Sequence, residues 1–377
     1  MSGLGRLRQD VARTRGRRYP ELPHPFRNDY QLDRDRIVLA RAFRRLEDKT
    51  QVFPAGDSDH FRNRLTHTIE VAQFARTVAS VLSLDEDLTE ALALAHDIGH
   101  PPFAHAGEEE LNRQMKRFGD RFDHNLHALR IVESFEDRYA RFPGLNLTFE
   151  VREGIVKHSH DFEPGEEPLM DEYLPGLRPP LEAQLIDLAD EIAYNTADLD
   201  DTFSAGFFSM DEVAENVPAF AQLHEEVANQ FPGAPEKVQF HEIQRALMDS
   251  LVTGLINGTA AAASEARVET VDDVRAFPKR LACFTPDTAL LARQLKSFLS
   301  ACVYNSSRLH RERKRSTAKI ARLFEHFVLH PDRLPESFRQ SAAKTPLHRV
   351  VCDYIAGMTD GYFLRCYLEQ KLEAGSA

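Results

Sequence analysis

The sequence predicts an all-α protein. Apolar residues recur at three- and four-residue spacing through most of the 377 residues, the β-branched alternation that marks strands is scarce, and no Ser/Gly linker or internal repeat divides the chain. Three regions are expected: a basic arm and extended segment over 1–30, a core over 31–205, and a helical C-terminal region over 206–377 packed on that core.

Pro20, Pro23 and Pro25 keep the chain extended until a helix begins near Asp33, with Ile37, Leu39, Ala40, Phe43 and Leu46 on its apolar side. Charge and turn formers from Phe53 to Asp59 read as a loop. Residues 65–82 form the next predicted helix, with Leu65, Ile69, Ala72 and Ala79 on one stripe and Val71, Phe74, Val78 and Leu82 on a second, which also carries His67. A helix from Leu88 to Ile98 is stopped by Gly99 and the Pro101-Pro102 pair, and it ends in His96-Asp97 beside a buried face. Further helices start near His105, running through Leu111 and Met115, and near His124, running to Phe135.

Residues 161–180 are acidic and Pro-rich and read as a long surface loop, either a lid or an insertion. The helix from Leu181 to Leu199 buries Leu181, Leu185, Leu188 and Ile192, and beside them runs a polar stripe of Asp187, Asp190, Tyr194 and Asp198. Later apolar sets, such as Ile320, Leu323, Phe324 and Phe327, continue the helical pattern.

Composition narrows the function. A formal charge of -12 and a pI near 5.8 argue against general affinity for nucleic acid or membranes, so an anionic substrate needs a local basic pocket. Cys283, Cys302, Cys352 and Cys366 lie far apart and suggest neither a zinc cluster nor a disulfide framework. With no apolar run of membrane-spanning length and no secretion-signal core, a cytoplasmic location without membrane contact is expected. Residues 1–18 carry six arginines against Asp10 and read as a disordered or partner-docked tail in preference to a nucleic-acid contact.

A histidine and a carboxylate next to a buried face need a partner, and His96, Asp97, His67 and Asp190 together look like one metal site. Two imidazoles and two carboxylates suit manganese, iron, nickel, cobalt or zinc, with magnesium the least natural. Singly, each residue has a plainer reading as a core histidine, a cap or a surface charge. His158 and His160, with no matching carboxylate spacing, read as solvated or pocket-rim residues and not as a second metal site.

The flanking segments reverse that balance. Arg64-Leu-Thr-His67-Thr, His96-Asp-Ile-Gly-His-Pro-Pro-Phe-Ala-His105-Ala-Gly-Glu108, Phe122-Asp-His124-Asn and Ala189-Asp190-Glu-Ile-Ala-Tyr194 together resemble the HD-domain deoxynucleoside triphosphate triphosphohydrolases, in their dGTPase-like branch. The resemblance runs from about Asp33 to Asp198-Leu-Asp-Asp201, with a weaker echo in Asp353-Tyr-Ile-Ala-Gly-Met-Thr-Asp360. It implies an all-helical HD core with additional C-terminal helices. It also implies one divalent ion on His67, His96, Asp97 and Asp190, manganese leading, and hydrolysis at the α-phosphorus of dGTP or several dNTPs.

By the same resemblance His105 and Glu108 are the catalytic pair, with His105 donating a proton to the departing 5'-oxygen. Arg64, His100 and His124 match the phosphate pocket, and Gln51, Tyr194 and Asp198 match positions that meet the deoxyribose. A homo-oligomer and a nucleotide effector are further implications. Ala104 in place of a common Gly, Leu126-His127 in place of Ala-Gln, and Gly361 in place of Arg depart from the pattern and leave strict dGTP specificity open. The alternatives are another HD phosphohydrolase, acting as a nucleoside monophosphate phosphatase or a phosphodiesterase, and a nucleotide-sensing or single-stranded-DNA-binding regulator that uses the arm.

Overall fold

The computed structural model describes residues 3–52 and 61–372, and the loop expected from Phe53 to Asp59 lies outside them. Among the described residues there is no sheet; two isolated bridges, Arg17 with Thr148 and Thr50 with Asn63, are the extended pairings present. The all-α expectation holds. In chain order the helices are α1 (Asp29–Leu39), α2 (Arg41–Arg44), α3 (Arg64–Leu82), α4 (Glu86–Ala95), α5 (Ala104–Lys116), α6 (His124–Arg130), α7 (Phe149–Val156), α8 (Leu181–Ser204) and α9 (Met210–Asn216). They continue with α10 (Pro218–Gln230), α11 (Glu236–Ala266), α12 (Val271–Ala276), α13 (Pro286–Leu299), α14 (Ser307–Leu329), α15 (Glu336–Ser341), α16 (Leu347–Ala356) and α17 (Asp360–Glu369).

Packing divides the chain into two interleaved units. The first comprises 1–35, 67–94 and 147–306, and the second 36–66, 95–146 and 307–377. In the first unit α8 packs on α11 and α13, burying Leu185, Ile192 and Leu199 with Phe240, Leu247, Leu251, Leu295 and Phe298. In the second, α5, α14, α16 and α17 share a core built on Leu111, Met115, Ile320, Phe324, Phe327, Ile355 and Phe363.

Some elements depart from the pattern-based expectation for identifiable reasons. The helix expected to run from Asp33 through Leu46 is broken at Ala40, whose ψ is 149°. Two side chains accept the break: Glu136 receives the Ala42 amide at 2.8 Å, and Arg138 donates to the Leu39 carbonyl at 2.5 Å. Helix α4 stops at Ala95 and not at Ile98, because His96 to Gly99 form tight turns closed by Ile98 N to Ala95 O at 3.3 Å and His100 N to Asp97 O at 3.2 Å. Helix α7, which apolar periodicity does not signal, is buried on all sides and carries Glu150, Arg152 and Glu153 into the interior with partners.

The N-terminal arm is not a free tail. Leu4 and Leu7 are buried, Arg6 pairs with Glu269 at 3.0 Å, Arg8 with Asp85 at 2.6 Å, Arg17 with Asp29 at 3.1 Å and also with Asp33, and Arg18 with Glu172. Four of the arm's six arginines are therefore paired with acids of its own unit. The acidic stretch over 161–180 is likewise fastened, since Arg178 and Arg280 both bind Asp161, Met170 and Tyr173 are buried, and a 3-10 turn spans Pro168–Tyr173. A freely swinging lid does not fit those contacts.

Glu182 lies fully buried at the start of α8, where one carboxylate oxygen accepts the Gln9 amide at 2.9 Å and the Asp85 amide at 3.1 Å. Burial outweighs those hydrogen bonds and pushes its carboxyl up to about 7. A raised folded-state value means the stabilisation is complete below the ordinary glutamate range and is lost as pH rises through about 7. Glu182→Gln should therefore melt above the natural protein at pH 8 by up to about 2–3 kcal/mol, with the gap closing at pH 5, as read by thermal denaturation at the two values.

Candidate functional site

In the first unit Asp190, on the polar stripe of α8, meets His67 of α3. His67 Nε2 lies 2.8 Å from Asp190 Oδ1, with His67 buried and Asp190 half-buried. One turn along α8, Tyr194 stacks on Tyr304 with ring centroids 5.9 Å apart and planes at 17°. The Tyr304 hydroxyl donates to the buried carboxylate of Asp198. Sequence reasoning missed Tyr304, which sits in a π-turn over Ser300–Tyr304 at the end of α13. Such turns recur at functional sites, but no apolar period marks them.

The second unit holds the rest of the set. Asp97 is buried and receives Arg64 Nη1 at 2.6 Å, with His100 Nδ1 at 3.0 Å and His96 Nε2 at 3.4 Å. Burial works against the charge, yet His96 and Arg64 hold the Asp97 carboxyl well below the usual carboxylate range. Burial, Arg64 and His124 push His100 well below the ordinary histidine range, so near neutrality it is a neutral imidazole.

Two glycines permit this geometry. A Cβ on Gly99 would stand 2.0 Å from the His124 carbonyl oxygen, and one on Gly107 would stand 1.9 Å from the Pro102 carbonyl oxygen. The turn after α4 and the start of α6 can approach only with Gly99 between them.

Glu108 receives both the His124 amide, at 2.9 Å, and His124 Nδ1, at 2.8 Å, whereas His105 Nδ1 is 3.8 Å away. The carboxylate thus grips His124 more closely than the His105 it was expected to orient. Burial raises its carboxyl, but His105 and His124 hold it well below the usual range, and it stays ionised. The rings of His100 and His124 are 3.9 Å apart, and His105, 78% exposed at its side chain, lies 5.7 Å from His100. Donor atoms of His100, Glu108 and His124 all fall within 4.8 Å of one another.

Gln51, in the same unit, is half-buried, and its Oε1 accepts no hydrogen bond among the described residues. His158 lies 2.6 Å from Asp187 and His160 3.0 Å from Glu166.

The C-terminal echo proves to be a brace. Asp360 accepts Thr50 N at 2.9 Å, the Thr50 hydroxyl, and Phe103 N at 3.0 Å, so it holds the segment before Gln51 and the entry to α5. Asp353 binds Arg130 and lies 3.5 Å from His127. Lys49, buried, donates to the carbonyls of His100 and Ala356. Phe103 and Ala104 enter α5 in the left-handed region, at φ 63° and 55°. That explains the tension in having Ala at 104, where a glycine would be unstrained.

Comparison with known proteins gives a match to the HD domain over residues 64–195 and to the phosphohydrolase-associated domain over residues 282–369. The deoxyguanosinetriphosphate triphosphohydrolase-like protein of Geobacter metallireducens (strain ATCC 53774 / DSM 7210 / GS-15) is 44% identical over 356 residues, covering 94% of this chain and 91% of its own. That of Bordetella pertussis (strain Tohama I / ATCC BAA-589 / NCTC 13251) is 42% identical over 371 residues, covering 97% and 95%.

The chain belongs to this HD-domain family. It is a hydrolase of the dGTPase-like type, and its HD domain is of a kind that binds a divalent metal. The imidazole and carboxylate donors at His67 with Asp190, and at His96 with Asp97, fit such an ion. No helix among the described residues is long and apolar enough to cross a membrane.

Two outcomes test the brace and the strained entry. Asp360→Ala should cost about 2–3 kcal/mol in urea unfolding, through two amides and a hydroxyl left without their acceptor, and Asp360→Asn should recover part of it. Ala104→Gly should stabilise by about 1 kcal/mol in the same measurement.

Proposed function

We propose that the chain hydrolyses deoxynucleoside triphosphates at the α-phosphorus, with dGTP or several dNTPs as substrates, releasing deoxynucleoside and tripolyphosphate. The observation that carries this reading is the chain of contacts from buried Arg64, Asp97 and His100 to half-buried His124 and Glu108, with His105 at its exposed edge. It supplies one permanent cation, one neutral imidazole and one carboxylate-gripped imidazole on an otherwise acidic chain. Such a group can meet a polyphosphate.

One divalent ion per site, manganese first and magnesium, cobalt, nickel, iron or zinc as alternatives, would be held by His67, His96, Asp97 and Asp190. When bound, it supplies Lewis-acid neutralisation of a non-bridging phosphoryl oxygen. Arg64 is fixed by Asp97 and can pair with a second such oxygen. Glu108, ionised, keeps the His124 ring in place and favours its Nδ1–H tautomer, which leaves Nε2 facing away from the carboxylate. His105 reaches solvent and donates its proton to the 5'-oxygen as the P–O5' bond breaks and the oxygen of water bonds to phosphorus, the proton that water loses passing to solvent, from which His105 is reprotonated.

The deoxyribose reading rests on Tyr194, Asp198 and Gln51. The stacked Tyr194–Tyr304 pair leaves a flat wall beside the Asp198 carboxylate, and Gln51 Oε1 offers an unused acceptor for a sugar hydroxyl. A homo-oligomer and a nucleotide effector belong to the same reading. For the regulator alternative, four of the arm's six arginines, Arg6, Arg8, Arg17 and Arg18, are already ion-paired.

Incubation with each dNTP and Mn²⁺, with and without the other dNTPs, should yield deoxynucleoside and tripolyphosphate on ion-exchange chromatography; inorganic phosphate as the product would move the assignment to a monophosphate phosphatase. His105→Ala should keep the metal, by elemental analysis, while kcat falls by about 10²–10⁴-fold, and Asp190→Ala should lose the metal.

A further inference from the structure

Helix α14 ends in a pair of imidazoles that shares no residue with the site described above. The run Phe324-Glu325-His326-Phe327-Val328-Leu329-His330 sets two histidines four positions apart. On a helix that spacing stacks side chains on one face, and each leans toward the N-terminus, so the ring at 330 is carried back toward the ring at 326. Helix α14 closes at Leu329, yet His330 N still donates to His326 O at 2.8 Å, which keeps His330 in helical register although Pro331 follows. The two ring centroids are 5.0 Å apart, with planes at 45°. Two imidazole nitrogens on one tetrahedral ion, each about 2.0–2.1 Å from it, hold their ring centroids about 5 Å apart.

The surroundings suit a cation. His326 is half-buried, and its Nε2 donates to Gln370 Oε1, just past α17, at 3.1 Å. With the proton on Nε2, Nδ1 keeps the lone pair that a metal needs. An outer oxygen that fixes the tautomer in this way is the usual companion of a metal-bound histidine. His330 is exposed, and its ring makes no hydrogen bond or ion pair among the described residues. The pair also stands at the C-terminal end of a 23-residue helix, the negative end of its macrodipole.

Donor type then selects the ion. Among the described residues no carboxylate or thiolate closes with the two imidazoles into a larger donor group. A nitrogen-only pair discriminates against manganese and magnesium and favours nickel, copper and zinc, whereas His67, His96, Asp97 and Asp190 mix nitrogen with oxygen. We propose that His326 and His330 chelate a late first-row divalent ion, nickel, copper or zinc, with water in the remaining positions. A bound ion makes the His326 Nε2–H a stronger donor to Gln370, and so clips the end of α14 to the end of α17.

The full-length natural chain, His330→Ala and His326→Ala are stripped of metal with a chelator, exchanged into chelator-free buffer and titrated with Ni²⁺ and with Mn²⁺ by isothermal calorimetry. The natural chain should bind one Ni²⁺ more than either variant, and Mn²⁺ binding should be the same in all three. Ni²⁺ should also raise the melting temperature of the natural chain more than that of His330→Ala, because only the folded helix presents both rings. His330 is exposed, so its replacement should leave the metal-free melting temperature and any hydrolysis with Mn²⁺ unchanged. Equal Ni²⁺ counts in the three proteins would overturn the proposal and leave two solvated histidines. A variant that lost Mn²⁺ together with Ni²⁺ would overturn it too, since a nitrogen-only pair should not hold manganese. Absence of Mn²⁺ binding from all three would count against the ion proposed on the HD residues, while the Ni²⁺ difference alone decides this pair.

Discussion

A single buried carboxylate, that of Asp97, organises the second unit's cluster of histidines. Stripping Asp97 of water costs several kcal/mol unless positive partners surround it, and Arg64, His96 and His100 are those partners. Each partner is in turn fixed by another constraint. His100 lies against His124, His124 is gripped by Glu108, and Gly99 lets the two backbones meet. Removing a link would leave a buried charge without its counterpart, so the geometry is over-determined, which suits a site that must not reorganise during reaction.

Much of this was legible in the sequence because it is carried by residue type at fixed spacing. The His-Asp pair, the Arg64 to His67 turn and the stripe of Asp190, Tyr194 and Asp198 are local patterns, and α3 and α8 lie where their apolar periods put them. What escaped reading depends on long-range partners. Helix α7 is buried all round because Arg275, Thr14 and Arg15 come from elsewhere to satisfy its acids, so no amphipathic period marks it. The break at Ala40 is stabilised by Glu136, and Tyr304 reaches Asp198 across 106 positions. Glu108 was read as the partner of His105 from a three-residue spacing, but the tertiary neighbour His124 lies nearer.

The basic segments show why composition alone misleads about partners. Six arginines in the first 18 residues suggest a free cationic arm, yet its apolar Leu4 and Leu7 anchor it, and acids of its own unit lie within ion-pair reach. The apolar stripe of α14, Ile320, Leu323, Phe324 and Phe327, is consumed by the unit's core, and its Arg315, Lys319 and Arg322 lie beside Leu364, Tyr367 and Leu368. The sign of a charge run matters less than whether the fold brings counter-charges to it.

The same logic accounts for the pairing of an HD match with a phosphohydrolase-associated match in one chain. The second match contains Asp353, Ala356 and Asp360, and these are the groups that receive Arg130, Lys49, Thr50 and the Phe103 amide. Phe103 and Ala104 stand in a backbone region that ordinary side chains avoid, and such a conformation persists only where its surroundings enforce it. Asp360 provides that enforcement directly, one residue before α5 begins and two before His105. The C-terminal helices are thus part of what aims the proposed proton donor, and the HD segment alone does not contain the contacts that would hold α5 at its strained start.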